Sequence, residues 1–365
     1  MFIPKLKYLF FIERERSIWT QRELIGYLNS RGIKPGYITQ ASLSSTIIER
    51  YYDADNFPKV ENFDILFSET YGIWPASKIV LEHSKNAGVT NLVIGNFPTI
   101  NNLKPTFKGH YPPQNTTLVD GICLIDKRTE KCMNEINPNL DTLVTGNPEW
   151  DIIKTQKFKE EAESVKQKYG NNLLLLCAGP FDHFQKEQEQ YYKWIIDKAE
   201  EQDFNVIVNL HAETEDAPEY FRGYINTVSH RYANLIAASH IITRVASGMT
   251  QESLLFGKNV ASNPFLFLGE QDTETGLFHK WIEDNVTWEK ETSPRIGEDL
   301  FNMIPLINNK QSLTDFLSSD KLRYSEKDID NIFGMPKVES YKEHFFETVE
   351  KYMEDKKFRK EELKL

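Results

Sequence analysis

The sequence predicts an α/β protein made of two similar domains that face each other and end in a helical tail. Short apolar, β-prone runs alternate with amphipathic helical stretches along the chain, the pattern of βα units feeding a mainly parallel sheet. One run, Asn172–Cys177 (NLLLLC), is almost wholly apolar, as expected of a strand covered by helices on both faces. The rhythm restarts after Gly146-Asn147-Pro148, and 365 residues is roughly two to three times the usual domain length.

Lys7–Ile12 (KYLFFI) reads as the first strand. Thr20–Arg31 follows as a helix with Leu24, Ile25 and Leu28 on one face, closed by Gly32. Gly36–Thr39 and Ile65–Ser68 (ILFS) are strands, and Ala76–Asn86 is a helix closed by Ala87-Gly88. Asn91–Ile94 (NLVI), Gly121–Ile125 (GICLI) and Thr142–Thr145 (TLVT) are the remaining strands of the first half. In the second half the helices are Lys154–Tyr169, Gln185–Gln202, Tyr232–Ser239 and Thr250–Phe256. They alternate with strands at 172–177, Asn205–Leu210, His240–Arg244 and Asn259–Ser262. Beyond about residue 290 the chain turns helical and polar. Tyr341, Phe345, Val349 and Tyr352 fall at i, i+4, i+8 and i+11, so the last helix carries one apolar stripe that must dock.

Composition excludes several classes. With 43 Lys+Arg against 54 Asp+Glu the net charge is −11, which argues against sequence-independent nucleic-acid binding but leaves room for a local basic pocket. Cys123, Cys132 and Cys177 are an odd count without C-x-x-C spacing, so a reducing cytoplasm is expected rather than a disulfide framework or structural zinc. The N-terminal apolar run is broken by Lys5 and Lys7 and lacks a cleavage site. No apolar stretch approaches the ~20 residues of a membrane span, so a soluble or at most membrane-surface protein is expected.

In open α/β sheets ligands bind at the carboxyl ends of strands, which directs attention to four loops. Val144-Thr-Gly-Asn-Pro-Glu-Trp-Asp151 is a sharp strand-to-helix turn, because Gly146 can adopt conformations closed to other residues and Pro148 restricts Asn147. Cys177-Ala-Gly-Pro-Phe-Asp-His183 offers Asp182 and His183 to a cleft, or is a solvated loop. His211 leaves the end of the Asn205–Leu210 strand, where an imidazole either meets a phosphate or carboxylate or is satisfied by backbone. Val245-Ala-Ser-Gly-Met-Thr-Gln-Glu-Ser253 places Ser247, Gly248 and Thr250 at a helix start that favours an anion, with Glu252 available to ribose hydroxyls. The alternative is an ordinary capped helix. No H-x-H, H-E-x-x-H or D-x-D cluster has ligand spacing in a suitable context. Asp53-Ala-Asp55 has the letters but lies in a polar segment, so no metal site is expected.

The combination of a G-N-P turn at the junction, a strand-terminal His and a later S-G-x-x-x-E resembles the GT-B glycosyltransferases and the related sugar-nucleotide 2-epimerases over roughly residues 60 to 265. The match is nearest to bacterial transferases that build capsule, lipopolysaccharide and other surface polysaccharides. It implies two facing Rossmann-like domains with a C-terminal helical tail: an acceptor domain over 1–146, a nucleotide-sugar domain over 147–335, and a helix over 336–365 returning to the first domain. It further implies a donor held by Gly146, Asn147, His211, Ser247, Gly248, Thr250 and Glu252, with Glu69, Asp182 and His183 as catalytic candidates and Asn96 and His110 near the acceptor. The substrates implied are a nucleotide-sugar donor (CMP-, UDP- or CDP-linked) and a glycan or glycolipid acceptor, with no further cofactor, in the cytoplasm or at the inner face of the membrane. The basic end Lys356–Lys360 either touches anionic lipid or is a solvated helix end balanced by Glu361 and Glu362. The epimerases carry a His-Arg-Arg-Glu-Asn run where this chain has Ala178-Gly-Pro-Phe-Asp182, which favours transfer over epimerisation. A non-catalytic nucleotide-sugar-binding protein is the other alternative.

Overall fold

A computed structural model describes residues 6–12, 17–39, 59–70, 72, 75–95, 113–114, 116–178, 185–210, 219–226, 231–244, 248–263, 303–307, 309–319 and 322–362. The chain divides into two compact units. Unit 1 comprises Met1–Phe97, Leu103–Asp151 and Phe333–Leu365, and unit 2 comprises Pro98–Asn102 and Ile152–Ile332.

Unit 1 holds strands β1 (Tyr8–Ile12), β2 (Gly36–Thr39), β3 (Ile65–Ser68), β4 (Thr90–Gly95), β5 (Gly121–Leu124) and β6 (Asp141–Val144), with helices α1 (Ser17–Ser30), α2 (Pro75–Asn86) and α3 (Lys127–Ile136) between them. Its sheet runs β2-β1-β3-β4-β5-β6 with every pair parallel. Parallel strands need covering on both faces, and the alternation of β1 supplies both: Tyr8 and Phe10 enter one core with Leu24 and Leu28 of α1, while Leu9 and Phe11 enter the other with Leu81 of α2 and Met133 of α3.

Unit 2 holds α4 (Gln156–Tyr169), β7 (Leu173–Ala178), α5 (Gln185–Glu200), β8 (Asn205–Leu210), α6 (Arg231–Ala237), β9 (His240–Arg244), α7 (Gly248–Leu255), β10 (Asn259–Asn263) and α8 (Lys310–Leu317), and all but the last residue of α9 (Glu326–Phe333). Its sheet, β10-β9-β7-β8, is also parallel throughout. Leu173, Leu174, Leu175 and Leu176 on the central strand are fully buried, the outcome their unbroken apolar run requires.

Several boundaries differ from the sequence reading. That reading passes directly from the strand at 121–125 to the strand at 142–145, whereas α3 lies between them. The Asp126 carboxylate caps its start, accepting from the Thr129 amide and hydroxyl, each at 2.8 Å. Thr129 and Met133 of this helix are buried, and Cys132 and Ile136 pack beside them against the unit 1 core, within an otherwise strongly polar segment. The helix expected from Lys154 starts at Gln156, because Pro148–Lys154 winds as a 3-10 segment that buries Pro148 and Trp150.

The last helix, α10 (Tyr341–Glu362), docks on the unit 1 sheet. Phe345, Phe346 and Val349 are buried against Tyr8, Phe67 and Leu143. The Phe346 ring meets Tyr8 edge-on at 5.2 Å, and the Tyr8 hydroxyl donates to Glu350 at 3.0 Å. Fully burying such side chains is worth about 1.5–3 kcal/mol each. Farther along, the Lys356 ammonium pairs with Asp120 at 2.7 Å, so this cation is engaged by unit 1 itself.

The Gly146–Asp151 turn is the clasp for this helix. The Asp151 carboxylate accepts from the Ser340 hydroxyl at 2.7 Å and from the Tyr341 and Lys342 amides at 2.7 and 3.0 Å, capping the start of α10. The Tyr341 ring stands edge-on to Trp150 at 5.6 Å and covers Gly146, whose φ of 73° lies in the left-handed region. A Cβ at residue 146 would collide with that ring. Gly146→Ala is therefore expected to destabilise unit 1 by about 2 kcal/mol or more through backbone strain and overpacking together. Urea unfolding measures this. Adding Tyr341→Ala should recover the overpacking part and leave the strain, whereas equal losses with and without Tyr341 would contradict the clasp.

In unit 2, the Lys258 ammonium donates to the carbonyls of Ile236 and Ala238 at the end of α6, and the Tyr324 hydroxyl donates to the Lys258 carbonyl. Burial, with a smaller push from the Lys166 charge, lowers the Lys258 pKa to about 8. An unfolded lysine holds its proton up to about 10.4, so between these values the unfolded chain binds more protons and stability rises with pH. Between pH 7 and 10 the native protein is expected to gain on the order of 2 kcal/mol relative to Lys258→Met, in paired unfolding curves at the two pH values. Parallel pH dependences in the two proteins would contradict this.

Candidate functional site

Because all four strands of unit 2 are parallel, their carboxyl ends share one edge, and the loops leaving that edge carry the polar side chains. Asn209 comes from the end of β8, Arg231 and Tyr232 from the first turn of α6, and Glu252 from the first turns of α7. A bond between the Thr243 and Thr250 hydroxyls ties β9 to α7 inside the core.

Glu252 is 7% exposed, and its carboxylate is held by its neighbours. The Tyr232 hydroxyl donates to Glu252 Oε1 at 2.7 Å and accepts from Arg231 Nη2 at 2.9 Å. The guanidinium lies 4.7 Å from the Tyr232 ring centroid and 3.9 Å from Glu252 Oε1. A carboxylate taken out of water keeps its charge at tolerable cost only with such partners. The Arg231 side chain is 51% exposed, so the same cation also faces solvent. Burial pushes the Cys177 thiol up to about 12, with the Glu252 charge adding to the shift and Arg231 opposing it, so this cysteine is held as an unreactive thiol.

A chain of amides fixes α6 in place. Asn226 donates to Asn234 Oδ1 and Asn234 to Asn209 Oδ1, both at 2.8 Å, and Asn209 donates to the Arg231 carbonyl at 3.4 Å. Asn226 and Asn234 are buried, so these bonds are protected from water. The arrangement presents a fixed carboxylate that can accept hydroxyl protons, a half-exposed guanidinium that can meet an anion, and the amides at the start of α7, whose dipole favours negative charge.

Of the residues singled out in the sequence, Gly248, Thr250 and Glu252 share this edge. Gly248 opens α7, and the Thr250 hydroxyl is engaged by Thr243. Gly146, Asn147 and Glu69 belong to unit 1. Gly146 lies under Tyr341, and Asn147 Oδ1 accepts from the Glu149 amide at 3.1 Å within its own turn. Glu69 is half-buried just past β3, where the Ser68 hydroxyl donates to the Thr70 carbonyl and the Thr70 hydroxyl to Ser77. Asp182, His183, His211 and Ser247 lie outside the described residues, as do Asp53, Asp55, Asn96 and His110. Among the described residues, no group of three or more His, Cys, Asp or Glu could hold a metal ion, and no helix is long and apolar enough to cross a membrane.

Sequence reasoning passed over Arg231, Tyr232 and Asn209. A signal did exist, since Arg231 puts a cation on the first residue of a helix, where the dipole disfavours positive charge and acids are the usual choice. Such a placement calls for a nearby anion, and Glu252 is that anion.

Neither a protein-family model nor a curated protein matches the sequence. Solved structures match by fold over nearly the whole chain. MnaA of S. aureus, solved with UDP, has a TM-score of 0.51 at 13% identity, covering 89% of this chain and 94% of that one. The UDP-GlcNAc 2-epimerase of Methanocaldococcus jannaschii has a TM-score of 0.51 at 12% identity, covering 92% and 98%. The glycotransferase of kitacinnamycin has a TM-score of 0.50 at 10% identity, covering 94% and 96%. Two units that each hold an all-parallel sheet, the C-terminal helix docked on the first of them and these neighbours together show a GT-B-type fold.

Proposed function

We propose that the chain is a nucleotide-sugar-processing enzyme, and that it transfers the sugar to a glycan or glycolipid acceptor in bacterial surface-polysaccharide synthesis. The observation that carries this reading is the buried Glu252 carboxylate, oriented by Tyr232 beside the half-exposed Arg231 at the carboxyl edge of a parallel sheet. A carboxylate that accepts two hydroxyls next to a cation and a helix start is complementary to a ribose carrying a phosphate. Fold neighbours include a UDP complex, which makes UDP the first nucleotide to try. In the transfer step Arg231 and the first amides of α7 stabilise the phosphate charge that develops on the leaving nucleotide, and no metal is assigned to that task.

Epimerisation of the sugar at C2 is the second reading, favoured by the UDP-GlcNAc 2-epimerase of Methanocaldococcus jannaschii among the fold neighbours and disfavoured by the sequence Ala178-Gly-Pro-Phe-Asp182 that follows the Leu173–Cys177 run.

Thermal shift with UDP, CDP, CMP, GDP and ADP tests the shared part of both readings, since a ligand that binds only the folded state raises the midpoint. At least one nucleotide is expected to do so, and Glu252→Gln should weaken its binding about tenfold, as for the loss of charge-assisted hydrogen bonds. Transfer from the matching nucleotide sugar is expected to persist in a chelator. A chain indifferent to all five nucleotides would overturn the proposal, and activity restored only by Mg²⁺ or Mn²⁺ would overturn its metal-free step.

A further inference from the structure

We propose that Tyr232 is a positioning residue for the nucleotide site: its hydroxyl holds Glu252 in the one orientation that accepts the ribose hydroxyls, and the residue itself makes no contact with the ligand. The inference rests on the reading of Glu252 as a ribose acceptor. Three observations carry it.

Tyr232 is 1% exposed, with its ring perpendicular to Phe256 at 6.3 Å and the Arg231 guanidinium over it at 4.7 Å. A ring closed in this way has no face left for a nucleobase. The single phenolic proton is committed to Glu252 Oε1 at 2.7 Å, while a lone pair of the same oxygen accepts from Arg231 Nη2 at 2.9 Å. The hydroxyl is therefore oriented from both sides, and a bond to a carboxylate is the stronger, shorter kind that fixes the acceptor group. Lastly, the Asn226–Asn234–Asn209 amides bond back to the Arg231 carbonyl, so the helix that carries Tyr232 is anchored independently of Glu252. The phenol is a fixed post against which the carboxylate is set.

Without that post the Arg231 guanidinium, with Nη2 3.9 Å from Glu252 Oε1, remains to attract the carboxylate. Tyr232→Phe keeps the ring and its packing and removes only the oxygen, so the carboxylate turns toward the guanidinium and away from the ligand.

The test is a titration calorimetry series on the full chain with two probes, UDP and 2′,3′-dideoxy-UDP, which lacks both hydroxyls. Native protein is expected to bind UDP about tenfold or more tighter than the dideoxy form. Tyr232→Phe is expected to lose about five- to tenfold for UDP and nothing for the dideoxy form. In the double variant Tyr232→Phe/Glu252→Gln the loss should be no larger than for Glu252→Gln alone, because both changes disable the same contact. A Tyr232→Phe variant weakened equally toward both probes, or additive losses in the double variant, would overturn the positioning role while leaving the nucleotide site standing. Native protein that binds both probes equally would overturn Glu252 as a ribose acceptor. Native protein that binds neither would overturn the positioning of Glu252 for a uridine ribose, and the proposed function itself falls only if the other four nucleotides fail as well.

Discussion

A carboxylate at 7% exposure, Glu252, constrains the elements around it at the carboxyl edge of the unit 2 sheet. Desolvating an ionised carboxylate costs several kcal/mol unless hydrogen bonds and an opposite charge are provided at close range. Glu252 receives both from one helix turn, the Tyr232 hydroxyl and the Arg231 guanidinium, so α6 and α7 must keep a fixed spacing across β9. The amide chain from Asn226 to Asn209, the hydroxyl pair Thr243–Thr250 and the Lys258 cap on α6 all hold that spacing. Strongly perturbed buried charges often mark functional sites, and the hydroxyl-rich, anionic ligand proposed above would match the groups at this edge.

Unit 1 is organised around a different interaction. Its sheet needs helices on both faces, and part of one face is left by the early helices for the end of the chain to fill. The contact that brings α10 there is the Asp151 carboxylate, which satisfies the first amides of the helix while Gly146 makes room for the Tyr341 ring. Residues that looked like a ligand-binding turn in the sequence thus have a clear packing role: the glycine is needed because a ring lies over it, and Asn147 closes its own turn.

The α/β class and most strands were legible because fully buried parallel strands leave continuous apolar runs, and β7 is such a run. The 205–210 and 240–244 strands coincide with the expected limits residue for residue. What escaped was set by capping and by distant side chains. α3 is a short, mostly polar helix started by the Asp126 cap, and the start of α4 is displaced by the buried Pro148 and Trp150. At the site, Glu252 was legible because it follows a small-residue turn after a strand. Tyr232 was not, because a tyrosine between Arg231 and Ala233 reads as one more amphipathic position until the fold brings it against a residue twenty places later.

The central claim, that a nucleotide seats on the Arg231–Glu252 edge of unit 2, is tested most directly by amide hydrogen exchange with and without saturating nucleotide. The account predicts added protection at the first turns of Arg231–Ala237 and Gly248–Leu255, with the α10 segment Tyr341–Glu362 unchanged. Protection confined to unit 1, or absent from both α6 and α7 when the nucleotide is bound, would contradict it.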